Sequence, residues 1–172
     1  MKETLYNAEG KAVTRVKRAF NWVVTFRDFP AGAWQTVDGD TMMTEALTLF
    51  TKGRAEFYLD DVKRGDRVPG TLSTEHEVVG TGGVFKLVYT EPTTRVCMPT
   101  SVNKGNQPKV TKVMLNAGDT LELPVGYKGL VCAGSLKIDD KEFLEEKTFK
   151  VITEPKIATA ISNTIILNFT EA

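Results

Sequence analysis

Apolar and polar residues alternate with a period of two along most of the chain. In RAEFYLDD, Ala55, Phe57 and Leu59 fall on one side and Arg54, Glu56 and Tyr58 on the other. The same alternation runs through TLELP (Leu121, Leu123), SLKIDD (Leu136, Ile138), TFKV (Phe149, Val151) and TIILNF (Ile165, Leu167, Phe169). Side chains change face at every step of an extended chain, so these segments are expected to be half-buried strands. FNWVVTF (Phe20 to Phe26) and VFKLVY (Val84 to Tyr89) are richer in aromatic and β-branched residues and read as strands buried on both faces. Ile165, Ile166 and Leu167 in succession place aliphatic side chains on both faces of one strand. Ile166 is expected to point outward and to need cover, from the other half of the chain or from a partner chain.

Turn-forming clusters punctuate the strands: PAG, VDGD, LDD, RGD, PG, GTGG, NKGN, NAGD and IDD. About a dozen short strands at that spacing predict an all-β protein, a sandwich or barrel. One helix is predicted, over roughly residues 8–19. The most polar, turn-rich stretch is PTSVNKGNQPK, and the parts on either side of it rhyme. LFTKGRAEFYLDD (Leu49 to Asp61) is echoed by LVCAGSLKIDD (Leu130 to Asp140), LVYTEP (Leu87 to Pro92) by LNFTEA (Leu167 to Ala172), and DFPAG (Asp28 to Gly32) by MLNAG (Met114 to Gly118). Offsets of roughly 80 residues predict a duplicated β unit. The expected organisation is an N-terminal unit with an arm over residues 1–98, a connecting loop over 99–109 and a C-terminal unit over 110–172.

Charge changes the picture little. Lys plus Arg and Asp plus Glu are both 22, and this balance argues against a general nucleic-acid binder. The most basic run, KAVTRVKRA (Lys11 to Ala19), reads as a solvated face or arm. Cys97 and Cys132 lie far apart in apolar surroundings and are expected to be buried free thiols. No apolar stretch reaches the roughly 18 residues that a membrane helix needs, so no membrane partner is expected. Without a recognisable leader, the sequon at Asn168 is not expected to be glycosylated, and a cytoplasmic or virion location is expected.

The segment GDTLELPVG (Gly118 to Gly126) carries a family resemblance. Its GD turns the chain into a strand, TLEL alternates across a sheet, and PVG ends the strand at a corner. The pattern Gly118, five residues, Pro124-x-Gly126 resembles the start of the second conserved motif of the cupin superfamily, whose members are jelly-roll proteins. GDRVPG (Gly65 to Gly70) is a looser echo in the first half. In metal-binding cupins a histidine follows two residues later, along with an HxH pair and a glutamate from the first motif. Here Gly129 stands at the histidine position, no HxH occurs, and His76 is the single histidine. A transition-metal site needs three or four N, O or S ligands, so neither metal nor other cofactor is expected. The resemblance implies a cupin-like jelly-roll sandwich or barrel, here in two tandem units.

Other candidate chemistry is sparse. In STEHEVV, His76 is flanked by Glu75 and Glu77, which share the opposite strand face. A nearby carboxylate would make His76 a proton shuttle, as the histidine base of some metal-free jelly-roll isomerases implies; solvation at the surface is the alternative. GTGGVFK (Gly80 to Lys86) and DGD (Asp38 to Asp40) read as hairpin turns, and the pairs Asp60-Asp61 and Asp139-Asp140 as turn residues. Two function classes remain open. One is a non-enzymatic structural or assembly protein without catalytic residues, a homo-oligomer or a subunit of a larger body such as a virion. The other is a metal-free, cupin-like sugar or small-molecule binder, isomerase or epimerase, with His76, Glu56 and Tyr58 near a barrel mouth.

Overall fold

In a computed structural model of the chain, residues 6–7, 12–38, 45–73, 84–99 and 109–169 are described. They form strands and turns, with no helix among them. The chain divides into two compact units, Met1–Lys17 with Val23–Asn106, and Arg18–Trp22 with Gln107–Ala172.

The first unit draws on β1 (Tyr6–Asn7), β2 (Val13–Ala19), β3 (Trp22–Phe29), β4 (Ala33–Asp38), β5 (Glu45–Lys52), β6 (Ala55–Leu59), β7 (Val62–Arg67), β8 (Leu72–Ser73), β9 (Val84–Tyr89) and β10 (Thr93–Pro99). They make two sheets, in the orders β1-β4-β9-β6-β7 and β2-β3-β10-β5-β8. A core of Phe29 and Phe50 from one sheet with Ala33, Ala55, Phe57, Leu87 and Tyr89 from the other joins them as a sandwich. The second unit holds β11 (Val110–Leu115), β12 (Thr120–Leu123), β13 (Lys128–Ala133), β14 (Ser135–Ile138), β15 (Lys141–Leu144), β16 (Thr148–Lys150), β17 (Lys156–Ala160) and β18 (Thr164–Phe169). Its sheets run β11-β18-β13-β16 and β12-β17-β14-β15 around Leu123, Val131, Leu136, Phe149 and Ile166.

The two units have one wiring. The order β3-β10-β5-β8 repeats as β11-β18-β13-β16, and β4-β9-β6-β7 repeats as β12-β17-β14-β15. Connecting hydrogen bonds repeat with it. The amide of Gly32 donates to Tyr89 O at 2.8 Å and that of Gly118 to Ala160 O at 2.7 Å. Phe50 N reaches Thr71 O, and Val131 N reaches Lys147 O, both at 2.9 Å. Gly53 and Gly134 take φ of 79° and 81° at equivalent turns, a conformation that L side chains rarely adopt. The structure is a duplicated jelly-roll sandwich.

Several expectations need correction. Val13–Ala19 is strand β2 rather than helix, and most of it is exposed on both faces, so the basic run is a solvated face. Its β-branched Val13, Thr14 and Val16 suit an extended chain, which turns back at Phe20–Asn21 into β3. FNWVVTF is therefore a turn followed by a strand, with Val24 and Phe26 buried and Val23 exposed. The match of Leu49–Asp61 to Leu130–Asp140 holds in the structure, as does that of Gly32 to Gly118. LVYTEP, on β9, corresponds to β17 rather than to LNFTEA on β18, and GDRVPG, ending β7, does not correspond to GDTLELPVG. Ile166 is fully buried in the second core instead of facing outward, and Ile165 and Leu167 on the other face are buried too. That removes the uncovered aliphatic face from which self-association was expected.

Candidate functional site

Each sandwich offers an interior between two inner faces, and the duplication allows those interiors to be compared position by position. In the second unit, Val113, Ile166 and Val131 lie side by side across β11, β18 and β13. On the facing sheet, Phe143, Leu136 and Ala160 lie across β15, β14 and β17. All six are apolar. Around them, the ring of Phe149 stacks on Tyr127 at 5.8 Å and tilts against Phe143 at 5.6 Å. The open groove beside this cluster has an apolar floor of Ile138, Phe143, Phe149 and Val151, with Lys141 and Lys156 at its rim.

At four of the six equivalent positions the first unit carries a polar or charged side chain. Arg27, Arg95 and Phe50 lie side by side across β3, β10 and β5, in the places of Val113, Ile166 and Val131. Arg67, Ala55 and Tyr89 lie across β7, β6 and β9, in the places of Phe143, Leu136 and Ala160. Arg95 is only 2% exposed. Its Nη1 donates to the Tyr89 hydroxyl at 2.9 Å and its Nη2 to Thr48 Oγ1 at 3.3 Å. The guanidinium lies 5.7 Å from the ring centroid of Phe29 and 5.4 Å from that of Phe50, a cation–π arrangement. Arg27, half-buried and directly opposite Arg95, stands 5.3 Å over the same Phe29 ring. Arg67 stands 4.5 Å over Phe57, and its buried Nε has no hydrogen-bond partner. Tyr89 stacks on Phe29 at 4.3 Å, and burial pushes its hydroxyl pKa up to about 12. It is a neutral donor and acceptor at physiological pH.

The residues singled out in the sequence fall elsewhere. His76 lies outside the described residues, as do the glycines of GTGG and Gly39 and Asp40 of the DGD turn. Glu56 and Tyr58 are brought together, 3.1 Å apart, but on the face of β6 opposite the buried Ala55 and Phe57. There Glu56 pairs with Lys63 at 3.0 Å, and Asp66 bridges Lys63 and Arg54 at 3.2 and 2.8 Å. The Lys63 ammonium and the Tyr58 hydroxyl hold the Glu56 carboxyl below the usual carboxylate range, as befits an ion-pair network on the outer face. Asp60, Asp61 and Asp139 adopt positive φ in turns. Both cysteines are buried free thiols, and burial pushes that of Cys132 up.

The described residues do not fit a cupin metal site. Among the described residues, no group of three or more His, Cys, Asp or Glu side chains could hold a metal ion. At Gly129, where the resemblance places a histidine ligand, a side chain would meet Cζ of Phe149 at 2.2 Å. Its equivalent in the first unit is Thr48, which serves Arg95.

No family model matches the chain, and no curated protein matches it in sequence. Solved structures do match its fold. HutD from Pseudomonas fluorescens aligns with a TM-score of 0.60 and 7% identity, over 97% of this chain and 93% of that one. The pirin YhhW from Escherichia coli, in complex with nickel(II), aligns with a TM-score of 0.50 and 11% identity, over 98% and 85%. PA5104 from Pseudomonas aeruginosa gives 0.52 and 5%, over 92% and 88%. The fold is a cupin-like jelly roll. At such identities the likeness carries the architecture, and the chemistry has to come from the residues of this chain.

Proposed function

We propose that this cupin-like protein is a metal-free binder of a small molecule, held inside the first sandwich around Arg95. One observation carries the reading: a fully buried guanidinium, set between neutral hydroxyls and aromatic rings, at a position where the sister unit has Ile166. Burying a charge is costly, and the second unit builds the same sandwich without one. Packing therefore does not require Arg95. A recognition role accounts for it, with the Tyr89 and Thr48 hydroxyls fixing the guanidinium in place. Glu56 and Tyr58 stand outside this interior, so the geometry favours binding rather than proton transfer by those two groups.

Thermal-shift screening of a broad library of small metabolites tests the reading. Compounds that bind only the folded state raise its melting temperature. At least one compound is expected to stabilise the natural protein and to lose that effect in Arg95→Met. A screen in which no compound stabilises the natural protein, and in which native mass spectrometry finds nothing retained, overturns the proposal.

A further inference from the structure

We propose a separate binding site in the second unit: the groove between β15 and β16 takes a small monocarboxylate with an aromatic or alkyl body. β15 and β16 are the end strands of their sheets, and the second sandwich is open between them. The groove there measures about 530 Å³, within the roughly 300–1,000 Å³ of small-molecule sites. Its floor is apolar, formed by Ile138, Phe143, Phe149 and Val151. The Phe149 ring lies over Gly129, in space that a larger residue would fill.

Charge decides the class of ligand. Three lysines line the groove: Lys141, Lys150 and Lys156. Lys156 is already paired, with Asp139 at 3.0 Å and Glu154 at 3.2 Å. Among the described residues, Lys141 and Lys150 have no carboxylate partner. Lys141 stands on the inner face of β15, directly across from Ile138, with its ammonium 5.5 Å from the Phe143 ring centroid. An apolar floor with a cation beside it suits a ligand with one anionic head and an apolar body. Asp139 and Glu154 outnumber Lys156 at its end of the groove, so a second negative charge on the ligand would be repelled there.

The duplicated unit serves as an internal control. The residue after the Asp-Asp turn is Lys141 in one hairpin, across from Ile138, and Val62 in the other, across from Leu59. Phe149, opposite Gly129, corresponds to Ser73, opposite Thr48. Neither Lys141 nor Phe149 is therefore required by the jelly roll itself.

Calorimetry and backbone-amide NMR at constant ionic strength test the assignment. The probes are octanoate and naphthoate, their neutral carboxamides, inorganic phosphate, and vesicles of phosphatidylcholine and phosphatidylglycerol in equal parts. The proteins are the natural chain, Lys141→Val, which copies Val62, and Lys141→Arg, which keeps the charge. Lys141 is exposed, so both variants should fold. At least one carboxylate is expected to bind with a Kd below about 1 mM and to shift the resonances of Ile138, Phe149 and Val151. Its carboxamide should bind about three- to tenfold more weakly, and Lys141→Val should lose about as much, while Lys141→Arg retains the affinity. A carboxamide binding as tightly as its acid, or Lys141→Val binding as tightly as the natural chain, overturns the assignment of the head group. Phosphate or vesicles bound where neither carboxylate is overturns the small monocarboxylate. Binding of neither carboxylate, or shifts confined to the first unit, overturns the site, and leaves the reading around Arg95 to its own test.

Discussion

Phe149 fills the side-chain space of Gly129: a Cβ on that glycine would lie 2.2 Å from Cζ of the ring. The ring has little freedom to yield, being buried and packed against Tyr127 and Phe143. Gly129→Ala is therefore expected to destabilise the second unit by about 1–3 kcal/mol, the usual cost of overpacking. Adding Phe149→Leu should recover part of that loss in urea unfolding. Gly129→His should not restore a metal site, because the histidine would arrive without companion ligands. Nickel(II) is expected to leave the melting temperature of that variant unchanged, and a metal-dependent rise would count against the argument.

Gly53 and Gly134 make a second, paired test. A Cβ on Gly53 would stand 2.1 Å from Pro92 O, and one on Gly134 would stand 2.2 Å from Asn163 O. In both turns the nearest obstacle is backbone, and the next threonine follows, with Thr93 Oγ1 at 2.6 Å and Thr164 Oγ1 at 2.7 Å. With positive φ as well, each Gly→Ala change should cost at least about 2 kcal/mol. The two losses should be similar, each in the transition of its own unit. A harmless Gly53→Ala beside a damaging Gly134→Ala would argue that the turns are not equivalent.

The architecture was readable where one face is buried and the other wet. Ala55, Phe57, Leu136 and Ile138 show period-two alternation because the core imposes it. Strand β2 escaped because nearly all of it is exposed, so its apolar residues carry no periodic signal. Ile166 was misplaced because β18 is buried on both faces, and a run of three aliphatics does not say which face is the core. The candidate site was missed for a different reason. In TTRVCMP, an arginine alternating with Val96 looks like an ordinary solvated residue. The signal lay in the duplication, through the register that sets Arg95 over Ile166 and Arg27 over Val113. The mistaken match of LVYTEP to LNFTEA hid that register.

Stability should fall at both ends of the pH range through identifiable groups. Burial pushes the Asp28 carboxyl up, but hydrogen bonds from Arg15 and Thr94 outweigh it and hold the pKa below 3.8. A depressed carboxylate stabilises the fold above its unfolded pKa, and that contribution fades as pH falls through the folded value. Asp28→Asn should therefore flatten the acid limb below about pH 4. At the other end, the Tyr89 pKa is raised from 10.0 to about 12. A raised pKa gives stability that is complete below the unfolded value and lost as pH rises through the folded one. Tyr89→Phe keeps the ring on Phe29 and should weaken the fall in melting temperature between about pH 10 and 12. An unchanged alkaline limb in that variant would show that another group sets it.

Arg95 and Ile166 occupy equivalent places, and exchanging their character should have unequal consequences. Ile166 lies in a core with Val131, Leu136 and Phe149, where the described residues offer apolar surface. Ile166→Lys would bury an ammonium there and is expected to cost about 3–5 kcal/mol or more, the scale of an uncompensated buried charge. The second unit should unfold, rather than stay folded and merely lose association. Arg95→Met removes a buried charge, keeps an apolar stem of similar length, and leaves the Tyr89 hydroxyl short of one donor, a loss of about 1–3 kcal/mol. Arg95→Met with Tyr89→Phe removes that hydroxyl as well, and replacing buried polar groups by apolar ones of similar shape is often neutral or stabilising. Urea unfolding of the three variants and the natural chain measures the asymmetry. A folded Ile166→Lys protein of natural stability would show that the two positions are not equivalent, and the contrast between the two interiors would lose its footing.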